Sequence, residues 1–124
     1  MTEELKVVTQ TYDLVMWLLP QVSKFPRDYR FVLGDRIING ALDILELLVE
    51  ASYERDKREL PGSSPGQALR RANLRLERLR YLVRVSKDLN LLSLRRYEYA
   101  AREINEVGTL LGGWIKQQQG RQTR

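Results

Sequence analysis

Residues 67–88, QALRRANLRLERLRYLVRVSKD, are satisfied only as a helix packed on other helices. Leu69, Ala72, Leu76, Leu79 and Val83 recur at spacings of three and four, so they line one side of an α-helix. Between them stand Arg70, Arg71, Arg75, Arg78, Arg80, Arg84 and Lys87, with Glu77 and Asp88 as the only acids. At about 100° per residue these bases sort into two rows. Arg71, Arg75 and Arg78 form one, and Arg80, Arg84 and Lys87 form the other. Leu74, Tyr81, Leu82, Val85 and Leu89 lie well away from the first apolar stripe, so the helix has a second face to cover.

The rest of the chain supplies partners of the same kind. A first helix is expected over about 3–22, with Leu5, Val8, Tyr12, Val15 and Leu19 on one face, widened by Val7, Leu14, Trp17 and Leu18. Pro20 should bend or end it, because proline lacks the amide donor and crowds the preceding turn. A second helix is expected over about 27–55. Its apolar residues cover more than half the surface, and Asp35, Asn39, Asp43, Glu46 and Glu50 form a narrow polar strip. Gly34 and Gly40 each cost a helix about 1 kcal/mol against alanine, which points to close packing on a neighbour. The only clear loop is DKRELPGSSPG, with the break at 56–64; Ser64 and Pro65 suit the cap and first turn of the helix over 65–89. Asn90 tolerates the left-handed position that closes a helix, and Ser93 suits the cap of a fourth helix over 94–118. The expectation is one domain, residues 1–119, with a flexible tail at 120–124. It is an all-α, up-down-up-down four-helix bundle. Three of the helices are more apolar than a lone bundle needs, which favours a closed homo-oligomer.

Charge is uneven along the chain. The formal net charge is +5. Residues 1–65 hold 8 bases and 11 acids, whereas residues 66–96 hold 9 bases and 2 acids, a net +7. Such a segment favours a polyanionic partner.

The absences are informative too. With no cysteine and no histidine, there is no disulfide, no thiolate or imidazole metal site and no histidine-assisted nucleophile. No apolar run approaches the roughly 20 residues that span a bilayer, and MTEELK has no signal-peptide pattern, so the expected setting is the cytoplasm with no membrane contact. Asp43, Glu46 and Glu50 share a strip but lack the histidine of bundle di-metal sites. No phosphate loop of the GxxxxGK[ST] kind exists. The reading is of a binding protein, not an enzyme, with no metal and no cofactor. Its arginine rows are candidates for phosphate contacts, with an acidic protein as the competing partner and a solvated face partnered by acids of the second helix as the plainer alternative. Tyr81, Tyr97 and Tyr99 could stack on bases, although such tyrosines are more often core residues with a hydroxyl at the rim.

Particular residues then bring in a family. Lys24-Phe25-Pro26, Arg30-Phe31, Leu33-Gly34 and Arg36-Ile37 resemble the helix 1–2 junction of the accessory variability determinant, Avd, of diversity-generating retroelements. The likeness continues through Ala41-Leu42-Asp43, Leu47-Leu48, Glu50-Ala51, Leu69-Arg70-Arg71-Ala72-Asn73-Leu74, Leu79-Arg80 and Leu111-Gly112-Gly113-Trp114. More loosely the chain is similar to the four-helix proteins of ribosomal RNA intervening sequences, although Glu50-Ala51-Ser52 stands where those proteins usually carry Ala-Glu-Gly. The resemblance to Avd implies a homopentameric barrel. It also implies a basic surface that binds the element's reverse transcriptase and template RNA, in support of cDNA synthesis and mutagenic retrohoming. Carried onto this chain, it marks Arg30, Arg36, Arg70, Arg71 and Arg80; the charge pattern adds Arg75, Arg78, Arg84 and Lys87. An oligomeric protein scaffold, or an rRNA-associated four-helix protein with no polymerase partner, remains the alternative.

Overall fold

A computed structural model describes residues 3–56 and 65–122. Four long helices, α1 (Glu3–Ser23), α3 (Asp35–Asp56), α4 (Pro65–Asp88) and α5 (Leu94–Gln122), account for nearly all of them, and no strand occurs among the described residues. A single turn, α2 (Arg27–Tyr29), and a π-helical segment, Arg30–Gly34, lead into α3. Each long helix packs on two neighbours, α1 on α3 and α5, and α4 on α3 and α5, which is the square of an antiparallel bundle.

The core forms where the apolar stripes meet. Leu69, Ala72, Leu76, Leu79 and Val83 are all at most 1% exposed, as their spacing requires. Facing them are Ile37, Ala41, Ile44, Leu48 and Ala51 of α3, and Ala100, Ile104, Val107, Leu111 and Trp114 of α5.

Of the face expected for helix α1, Val15 is buried and Val8 packs on the core, but the inward stripe is centred on residues expected only to widen that face. Val7, Thr11, Leu14, Leu18 and Val22 face inward, whereas Leu5, Tyr12, Met16 and Leu19 are exposed. Thr11 makes this possible, because its hydroxyl donates to the Val7 carbonyl at 2.7 Å and so enters the core already satisfied. Pro20 does not end the helix, which continues to Ser23. Only one turn follows it, and the Met16 carbonyl that loses a donor belongs to an exposed residue.

The rod from Arg27 to Asp56 is not one regular α-helix. The Asp35 amide donates five residues back to the Arg30 carbonyl, a widened turn. Leu33 and Gly34 thereby face the core while Phe31 and Val32 are pushed out, 64% and 66% exposed. Gly34 lies against a neighbour without requiring a glycine: a Cβ there would stand 3.5 Å from Val22 Cβ and 3.6 Å from Phe25 Cδ2, ordinary van der Waals contact. Gly40 has no such neighbour, since a Cβ there meets nothing within 4 Å.

Helix α4 closes with the Asn90 backbone at φ 62°, the Asn90 amide bonding Lys87 O at 2.9 Å and the Leu91 amide bonding Ser86 O at 2.8 Å. The Ser93 hydroxyl then accepts from the Arg96 amide at 3.2 Å and caps α5. That last helix runs to Gln122, past the 118 boundary and through the start of the expected tail, and Gln118 is buried. Glutamines are good helix formers, and α1 and α4 flank this end of the bundle. The loop expected at 56–64 lies, apart from Asp56, outside the described residues.

Candidate nucleic-acid interface

The basic residues sit on α4 in three groups set by helical angle. On the outward side, Arg70, Arg71, Arg78 and Arg84 are exposed, and among the described residues no carboxylate pairs with any of them. With them stand Leu74, Tyr81 and Val85, exposed by 54%, 65% and 43%. These three apolar residues lie within about 40° of one another around the helix, opposite the buried stripe.

Toward α5 the bases are engaged. Arg80 Nε bonds Glu77 Oε1 at 2.9 Å, its Nη1 donates to Asn105 Oδ1, and its Nη2 lies 3.0 Å from where a Gly108 Cβ would stand. Gly108 therefore makes room for that guanidinium. Lys87 pairs with Asp88 at 3.4 Å and lies 4.9 Å above the Tyr97 ring. These two bases tie α4 to its own turns and to α5.

Toward α3 the chain opens into a groove of about 630 Å³, lined by Arg36, Asn39, Gly40 and Asp43 on one wall and by Arg75, Arg78, Leu79, Tyr81 and Leu82 on the other. The spacing explains the walls: residues 36, 39, 40 and 43 form one stripe of α3, and 75, 78, 79 and 82 form one stripe of the antiparallel α4. Arg75 Nη1 is 3.1 Å from Asp43 Oδ2, so the acidic strip of α3 meets one member of the arginine row. Both groups are about 40% exposed, which limits this pair to a small contribution.

Arg30 stands apart at the end of the bundle, its Nη2 donating to the Phe25 carbonyl at 3.4 Å. The fold thus gathers Arg36, Arg75 and Arg78 around one groove and leaves Arg70, Arg71 and Arg84 on the outward side. Arg80, Lys87 and Arg30 lie elsewhere. Of the three tyrosines singled out for stacking, Tyr99 packs on Trp17 with ring centroids 4.7 Å apart and Tyr97 lies half-buried beneath Lys87; Tyr81 has its ring exposed. The groove's other polar lining residues, Asn39 and Asp43, were read from the sequence only as part of the polar strip of the second helix. Gly40 in an otherwise strong helix was the available clue, and it marks an open wall instead of a close approach.

Among the described residues no group of three or more aspartates and glutamates stands close enough to hold a metal ion, and no helix is long and apolar enough to cross a membrane. With this geometry in place, the family comparison is decisive. The family model described as bAvd-like matches residues 5–118, almost the whole bundle. The chain belongs to the bAvd-like family. The match includes every base discussed above and both walls of the groove. No curated protein matches the chain.

Proposed function

We propose that this bAvd-like chain is a non-enzymatic accessory factor of a diversity-generating retroelement. In this reading it binds the element's reverse transcriptase and template RNA in the cytoplasm and supports cDNA synthesis and retrohoming. The polymerase chemistry belongs to the partner. The supporting observation is the set of exposed guanidiniums of α4, Arg70, Arg71, Arg78 and Arg84, which no carboxylate neutralises among the described residues. Guanidiniums free of acids are suited to phosphate oxygens, which they meet with paired hydrogen bonds.

The protein acts as a homo-oligomer in this reading, a pentamer by its family. The exposed stripe Leu5, Tyr12, Met16 and Leu19 on α1 and the exposed Leu42, Val49 and Tyr53 on α3 supply apolar surface for neighbouring copies. A second reading, a protein-interaction scaffold that never touches RNA, is favoured by Phe31 and Val32, which the π turn holds out at one end of the bundle.

Affinity of the purified protein for a structured RNA across a salt series separates the two. The accessory-factor reading expects affinity to fall steeply with salt, and expects Arg71→Glu, Arg78→Glu and Arg84→Glu together to flatten the logarithmic slope by about two, roughly 0.7 per lost phosphate contact. The fold should survive, because exposed charges contribute little to stability. Unchanged slope and affinity in the triple variant would defeat the site assignment. A nuclease-resistant complex with protein alone would put the scaffold first.

A further inference from the structure

The groove between α3 and α4 has more structure than phosphate contact requires. Its floor is apolar, formed by the half-buried Leu82 and the bare backbone of Gly40 with Leu79 buried beneath, and it runs from residue 36 to 43 on one helix and from 75 to 82 on the other, about 10 Å at 1.5 Å per residue. Three guanidiniums, Arg36, Arg75 and Arg78, stand at its walls against a single carboxylate, Asp43, and the exposed ring of Tyr81 stands at its lip. A volume of about 630 Å³ lies in the range of small-ligand sites, roughly 300–1,000 Å³.

Resting on the RNA-binding reading, the geometry points to a seat for one unpaired nucleotide: a base laid between Leu82 and the Tyr81 ring at the rim of the groove, with its phosphate held by Arg36 and Arg78. Each part of the groove has a task in this arrangement. A flat aromatic face is what an apolar floor and an exposed tyrosine accept, whatever the base. The Asn39 amide and the Asp43 carboxylate offer a donor and acceptors to a base edge. An acidic peptide fits less well, since its carboxylates would occupy the guanidiniums and leave the apolar floor uncovered. A duplex keeps its bases stacked inside the helix and can reach only the outward arginines, so the groove selects single strands.

The test compares a fluorescein-labelled 12-nucleotide oligo(A) with an RNA duplex of equal length, by anisotropy at one salt concentration, using the full chain. In the unaltered protein the single strand is expected to bind more tightly than the phosphate count alone predicts. Tyr81→Ala should reduce the ratio of single-strand to duplex affinity about tenfold, the scale of one lost base–aromatic stack, and Tyr81→Phe should restore it. Gly40→Leu fills the groove from the opposite wall, where an added Cβ meets open space, and should reduce the ratio equally with the helical circular dichroism retained. A ratio unchanged in both variants, with RNA still bound, overturns the nucleotide seat and leaves the RNA-binding reading standing. Competition by oligo-glutamate as effective as that by oligo(A) also overturns it. Failure of the unaltered chain to bind either RNA overturns both readings.

Discussion

Gly40 offers a quantitative test of how open the α3–α4 groove is. A glycine inside a helix costs about 1 kcal/mol relative to alanine, chiefly through the backbone freedom it regains on unfolding. Substitution therefore stabilises unless the new methyl collides with something. At Gly40 an added Cβ meets no atom within 4 Å, so nothing opposes the gain. At Gly108 the same gain is opposed, since the Cβ would stand 3.0 Å from Arg80 Nη2 and press a guanidinium that also bonds Glu77 and Asn105. For a chain of 124 residues, an unfolding entropy of about 2.1 cal/mol/K per residue gives roughly 0.26 kcal/mol per kelvin. Gly40→Ala is thus expected to raise the melting temperature by about 2–4 °C, and Gly108→Ala by about 1 °C or less. Thermal unfolding followed by circular dichroism at one fixed protein concentration measures both, the concentration being held because association shifts apparent stability. A lower melting temperature for Gly40→Ala would refute the reasoning, and would mean that another chain or segment already fills the groove at that wall.

Substitutions at two further positions probe the frame that holds the basic face. Asn90→Ala should cost about 1 kcal/mol in urea unfolding, because a β-carbon without a polar side chain disfavours φ 62°, whereas Asn90→Gly should be neutral or slightly stabilising. Trp114 is fully buried and its indole Nε1 finds no hydrogen-bond partner among the described residues. Trp114→Ala should therefore cost about 3–5 kcal/mol and Trp114→Phe only a fraction of that, since the loss is one of packing and not of a polar contact; equal costs in equilibrium unfolding would contradict it.

The long helices and the α4 core stripe were legible from the chain because a period of 3.6 residues repeats over many turns in Leu69, Ala72, Leu76, Leu79 and Val83. Local chemistry was equally readable at the α4–α5 turn, where Asn90 and Ser93 act within a few residues of themselves. What misled was position within a broadly apolar helix. In α1 nearly every turn has apolar residues on more than one side, so the inward face depends on what α3 and α5 present, and Thr11 joins it through a bond to its own backbone. The π turn at Arg30–Gly34 was likewise invisible, since it adjusts the phase of α3 to a core that only the packed bundle contains.

The sequence alone determined that this chain forms helices, that one of them is strongly basic, and that its arginines fall in rows, all consequences of residue type and helical period. Tertiary structure decided which arginines are available. Two helices had to meet before Asp43 could pair with Arg75, before Asn105 could hold Arg80, and before Arg36 from one rod could stand across a groove from Arg78 of another. Hydrogen bonds and ion pairs of this kind act over a few ångströms between residues 25 to 32 positions apart in the chain, and local periodicity carries no information over that separation.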